Sequence, residues 1–187
     1  MNQKIVRMLS FIMVTTCMIT LMAACGNEKQ NAKEINPDMF KSENEYQFHT
    51  TAWGMTVDEV TKLSDCKLEK DSDREPFPEG YAIYKAKADY VLDGKTCNTS
   101  FEFLNEGLKD VQLAFSLSDS DDPWMDTQIE KLIQLYGEAT DKIENENAEM
   151  QLKSTVYKWE TGETMLQFTV ISKASSAPTV VIALVKK

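Results

Sequence analysis

Along the 187 residues the spacing of apolar side chains changes period several times, and each change predicts an element. Val57, Val60 and Leu63 recur at helical spacing, and Met125, Ile129, Leu132, Ile133 and Tyr136 form a longer stripe of the same period. Thr56, with Glu59 three residues on, is a capping box for the first helix, and Met55 and Val60 are placed as a hydrophobic staple. Asp58 and Glu59 also suit the positive end of that helix, which accounts for both carboxylates without any catalytic role. Asp122 as cap, Pro123 in the first position and Gly137 just past the end bound the second helix.

After Pro76 and Pro78 the period becomes two. Tyr84, Ala86, Ala88, Tyr90 and Leu92 point one way and Lys85, Lys87 and Asp89 the other. A turn at Asp93-Gly94 pairs Tyr90 with Cys97, Ala88 with Thr99, Ala86 with Phe101 and Tyr84 with Phe103. On the opposite face that register sets Lys85 against Glu102 and Lys87 against Ser100. A three-residue turn, Asn105-Glu106-Gly107, leads to Val111, Leu113, Phe115 and Leu117 on the same apolar face. Further strands run from Thr155 to Glu160 and from Glu163 to Ile171 about Thr161-Gly162, with Tyr157 against Leu166 and Thr155 against Phe168. Pro178 opens a last strand, Val180 to Val185, apolar on both faces and so central or covered. A helix followed by antiparallel strands therefore occurs twice. The expectation is an α+β chain of two tandem helix-plus-sheet halves, 46–118 and 119–187.

Ahead of this body, residues 1–24 have a basic start with Lys4 and Arg7, an apolar run from Met8 to Met22, and small residues at the end. Ser10, Thr15, Thr16 and Thr20 interrupt the run, which falls short of the ~20 apolar residues a membrane span needs. Leu21-Met22-Ala23-Ala24-Cys25 resembles the lipobox of bacterial lipoproteins, with Met22 where the family usually has Leu. The resemblance implies cleavage before Cys25, lipid on that cysteine, and a protein held at the extracytoplasmic face of the cell membrane. Stable attachment takes more than one acyl chain. Residues 25–45 are mostly polar apart from Ile35, Met39 and Phe40, and read as a flexible tether.

Loss of the leader takes the 20 basic residues to 18 against 30 acidic ones, a net charge of about −12. Such a surface repels nucleic acid and anionic headgroups, so nucleic acid is not an expected partner and contact with the membrane runs through the lipid. Of the four cysteines, Cys17 leaves with the leader and Cys25 is lipidated, leaving Cys66 and Cys97. In an exported protein that pair reads as a disulfide stapling helix to sheet, worth about 3 to 4 kcal/mol; two separate buried thiols are the alternative.

Gly54-Met55-Thr56, followed by Glu59-Val60, Leu63 and Cys66, resembles the helix start shared by β-lactamase-inhibitor-like domains and the small SmpA/BamE-type envelope lipoproteins. In the inhibitor-like repeats a cysteine also follows this helix and bonds into the sheet. Trp124-Met125-Asp126-Thr127 only echoes the motif, with no cysteine after it. The resemblance implies a protein-binding module that uses an antiparallel sheet or its loops.

Catalytic and cofactor chemistry finds little support in the residues. His49 stands alone, no nucleophile has a recognisable partner, two cysteines are too few for structural zinc, and no Gly-rich phosphate loop is present. Asp119, Asp121 and Asp122 with Glu130 loosely suggest a calcium loop, but Pro123 and Trp124 stand where it needs an oxygen ligand and a glycine. No metal or cofactor is expected. The expected role is non-enzymatic binding of an envelope or secreted protein, as adaptor or inhibitor. The candidate face carries Lys85, Lys87, Asp89, Asn98, Ser100 and Glu102, which could equally be a solvated sheet face. A small-ligand binder or sensor is the alternative, and a carboxylate-based envelope hydrolase stands behind it.

Overall fold

The computed structural model describes residues 32–187 except 65, 75, 119–120 and 174–175. Residues 1–24, read as a leader, and Cys25 lie outside the described residues. Ten strands form one mixed sheet, and only two helices accompany it among the described residues. This corrects the expectation of two tandem helix-plus-sheet halves: the chain is mostly β, and a single sheet runs through it.

The reason lies in the last strand. Strands β7 (Lys95–Leu104) and β8 (Gly107–Ser116) form one antiparallel pair, and β9 (Asp141–Asn147), β10 (Leu152–Thr161) and β11 (Thr164–Lys173) form a second meander. Strand β12 (Ser176–Lys186) pairs with β11 on one side and with β8 on the other, in the register Ile182 to Leu113 and Ile182 to Phe168. Val180 through Leu184 are all buried, as a strand covered on both faces must be. Alternation puts Ile182 and Leu184 toward the helices and Val181 and Ala183, with Val156 across the sheet, on the other face.

Helix α1 (Val57–Ser64) starts as its capping box dictates: the Thr56 amide donates to Glu59 Oε2 at 2.8 Å and the Glu59 amide to Thr56 Oγ1 at 3.4 Å. Helix α2 (Asp122–Tyr136) begins one residue from the expected cap, since Asp121 occupies that position. It ends as expected at Gly137, whose amide donates to the Ile133 carbonyl at 2.8 Å with φ +84°. Both helices lay their apolar stripes on the core of Phe101, Phe103, Val111, Leu113, Phe115, Phe168 and Leu184.

The stretch read as a tether is folded from residue 33 onward. Strand β1 (Lys33–Ile35) pairs parallel with β6 (Tyr90–Leu92), a 3₁₀ turn covers Pro37–Phe40, and β2 (Lys41–Ser42) makes a small hairpin with β3 (Glu45–Tyr46). Ile35, Phe40, Tyr46 and Phe48 are all at most 2 % exposed. The three apolar residues of that polar stretch are what seat it: Ile35 and Phe40 enter the core and Met39 packs on it.

Two registers differ from expectation, each for a local reason. The Asp93-Gly94 turn pairs Tyr90 with Cys97 as its residues require, with φ +45° and +75°. A bend at 87–89 then offsets β5 (Tyr81–Ala86), so Tyr84 faces Phe101 and Lys85 faces Ser100. The Gly162-Glu163 turn, centred one residue later than expected, sets Tyr157 against Phe168. Strand β4 (Leu68–Lys70) completes the sheet beside β5.

Candidate functional site

At the edge formed by β1, the chain leaves a cleft of about 220 Å³. Its floor is apolar: Ile35, Phe48 and the Tyr90 ring, with Phe48 edge-on to Tyr90 at 5.4 Å. Its rim is polar and comes from three segments, Lys33 and Glu34 of β1, His49 to Thr51 of the loop after β3, and Leu63 and Ser64 at the end of α1. The Lys33 ammonium donates to the Ser64 carbonyl at 2.6 Å, closing the C-terminal end of the helix with a cation. Thr51 donates to the Phe48 carbonyl at 2.7 Å and the His49 amide to the Met39 carbonyl at 2.9 Å, which hold the loop over the strand. His49 itself is exposed, with φ +53°.

The chemical oddity of the cleft is Tyr90. The residue is 2 % exposed, yet its hydroxyl makes no hydrogen bond of ordinary geometry. It sits close enough to the Ser64 hydroxyl and the Cys66 thiol to feel both. Burial first, and the thiols of Cys66 and Cys97 after it, push the phenol above its usual pKa, so it stays a neutral donor.

The six residues read as a candidate docking face have unlike surroundings. Lys85 lies 2.8 Å from Asp71, whose side chain is fully buried, and 3.7 Å from Asp73; Lys87 lies 3.2 Å from Glu69. The bend at 87–89 takes Lys87 and Asp89 out of line with β7, while Asn98 stays exposed and Ser100 is half-buried between Lys85 and Gln112. Glu102 is 7 % exposed and accepts from the Tyr81 hydroxyl and, at 2.9 Å, from Gln112. Opposite it is Asp110, whose Oδ1 is buried without a hydrogen-bond partner. Burial, then the charge of Glu102, raises the Asp110 carboxyl well above the usual carboxylate range.

Cys66 and Cys97 are both buried free thiols, where a disulfide was expected. The Ala88 amide donates to Cys66 Sγ at 3.4 Å, and Cys97 Sγ lies 3.6 Å from the Thr99 hydroxyl, so each sulfur has its own polar neighbour beside Tyr90. Burial pushes the Cys97 thiol up to about 12. The acidic loop before α2 is a staple: Asp121 takes Lys95 at 2.5 Å and the Ser118 amide and hydroxyl at 2.8 Å each. Asp122 is exposed, and Asp119 lies outside the described residues. Among the described residues no three His, Cys, Asp or Glu are arranged to hold a metal ion, and no helix is long and apolar enough to cross a membrane.

Sequence reasoning missed the cleft because its floor comes from the stretch taken for a tether. The available signal was the trio Ile35, Met39 and Phe40, too closely spaced for a solvated linker. Compared with protein-family models, with curated proteins and with solved structures, the chain matches none.

Proposed function

We propose that the chain is a lipid-anchored, extracytoplasmic, non-enzymatic binding protein that takes a small ligand in the cleft beside β1. The observation that carries this reading is the cleft of about 220 Å³ itself, in which apolar Ile35, Phe48 and Leu63 meet polar Lys33, Glu34 and His49 from three separate segments. The sheet-face alternative loses ground because Lys85 and Lys87 are engaged in ion pairs and Glu102 is buried. With lipid on Cys25, residues 26–32 separate the anchor from β1; seven extended residues reach about 25 Å, so the cleft works close to the bilayer. A partner protein is the second reading, favoured by β9, an almost wholly exposed strand at the end of the sheet.

The test uses the mature protein, incubated with concentrated culture medium and separated by gel filtration, with bound small molecules identified by mass spectrometry. Thr50→Trp, at an exposed rim position, fills the mouth without touching the core. Compounds retained by the wild type and lost from Thr50→Trp support the cleft. Equal retention by both, or none by either, removes it. Detergent-phase partition of the wild type but not of Cys25→Ser tests the anchor.

A further inference from the structure

Among the described residues β9 is the longest free edge of the sheet. It pairs with β10 alone, and the other strands with a single neighbour in that sheet, β1 and β4, have three residues each. Its seven residues span about 23 Å, stay in register with β10 throughout and are mostly exposed. An edge of that length offers a row of unpaired amides and carbonyls to an incoming strand.

Charge and alternation decide which strand. The register puts Lys142, Glu144 and Glu146 on the face of Tyr157 and Phe168, and Asp141, Ile143 and Asn145 on the face of Val156 and Val181. On the first face Lys142 lies over the Tyr157 ring at 5.4 Å. Glu144 and Glu146 are largely exposed, and their surface pairs, to Lys142 at 2.9 Å and to Lys153 at 3.3 Å, are of a kind that an incoming cation can exchange. Glu138, Asp141 and Glu149 are exposed and carry no ion pair among the described residues. On the second face half-buried Ile143 heads a row of buried Val156, Thr169 and Val181, which a strand beside β9 would extend with its own alternate side chains. A second copy of this chain fits poorly, since it brings the same acidic edge and a net charge of −10. Resting on the reading of β9 as a docking edge, we infer that it takes an extended segment of another protein in which Lys or Arg alternates with aliphatic residues. The cations lie beside Glu144 and Glu146 and the aliphatic side chains beside Ile143.

Three capped peptides separate charge from alternation: Lys-Val-Lys-Ile-Lys-Val-Lys, the same peptide with Glu for every Lys, and the lysine composition rearranged as Lys-Lys-Lys-Lys-Val-Val-Ile. Binding to the isotope-labelled protein is read from the amide resonances and the amide exchange of residues 141–147. The alternating lysine peptide is expected to bind with a Kd of about 100 µM at low salt, to slow exchange along β9, and to weaken about tenfold as salt rises to about 300 mM. The other two should bind about tenfold or more weakly. Glu144→Lys combined with Glu146→Lys, both at exposed positions, should reverse the preference between the lysine and glutamate peptides. If either control slows exchange along β9 as strongly as the alternating lysine peptide, or the preference survives the charge reversal, the partner class is overturned and β9 still stands as a docking edge. Exchange at 141–147 unchanged by all three at about 5 mM would overturn class and edge together.

Discussion

Glu102 and Asp110 face each other across the β7–β8 ladder, and their burdens are unequal. Glu102 accepts from Tyr81 and Gln112, whereas Asp110 Oδ1 is buried with no donor. The Asp110 carboxyl is raised, so the folded state binds a proton that the unfolded chain releases. Stability therefore falls as pH rises from the ordinary carboxylate range through the raised folded value, and stays at its lower level above it. Asp110→Asn, which mimics the neutral form, should flatten that fall and add about 1 kcal/mol or more at the alkaline end. Urea unfolding from pH 4 to pH 9 measures it; parallel pH profiles for variant and wild type would refute the assignment.

Asp121 has the opposite sign. The Lys95 ammonium, then the Ser118 amide and hydroxyl, lower its carboxyl to about 2. Its contribution is fully present above the unfolded carboxylate value and is lost as pH falls toward 2. Acid unfolding followed by tryptophan fluorescence should show that loss in the wild type and not in Asp121→Asn. The variant should also release the loop ahead of α2, read as faster amide exchange at Ser118.

Phe40→Ala tests whether the N-terminal stretch belongs to the fold. Phe40 is fully buried and stacks with Phe48 at 6.5 Å between ring centres. Truncation should cost about 3 to 5 kcal/mol, as it would for a central core phenylalanine. A cost below about 1 kcal/mol would return residues 33–45 to the role of a tether.

The two thiols give a chemical test. Cys97, buried and held near 12, should resist alkylation at pH 8 in the native protein, and unfolding without reductant should expose Cys66 and Cys97 together. A protein 2 Da lighter, unreactive until reduced, would establish the bond that the sequence suggests.

Helix positions were legible in the sequence because each is marked twice, by its stripe and by its caps: Thr56 with Glu59, and Gly137. The hairpin at Asp93-Gly94 was legible for the same reason, two residues fixing one turn. Beyond Tyr90 the pairing slipped, because a bend at 87–89 leaves no compositional mark and a two-residue offset keeps the same faces apolar. The single sheet was hidden in β12: its two apolar faces announced a central strand but could not name both neighbours. Tyr90 could be placed on the core face of its strand from alternation alone. That its hydroxyl would lie beside the Ser64 hydroxyl and the Cys66 thiol depends on the end of α1, which only the fold brings near.

The central position of β12 also sets an order of events. Strand β12 joins the β7–β8 pair to the β9–β11 meander, so β8 waits with an unpaired edge until residues 179–185 are available. The sheet cannot close before β12 has been made. The slow step of maturation is then the capture of β12 by two waiting edges, a contact of long sequence separation on the β8 side. A truncation of even the final ten residues would leave two partial sheets with exposed, sticky margins in place of a slightly smaller protein.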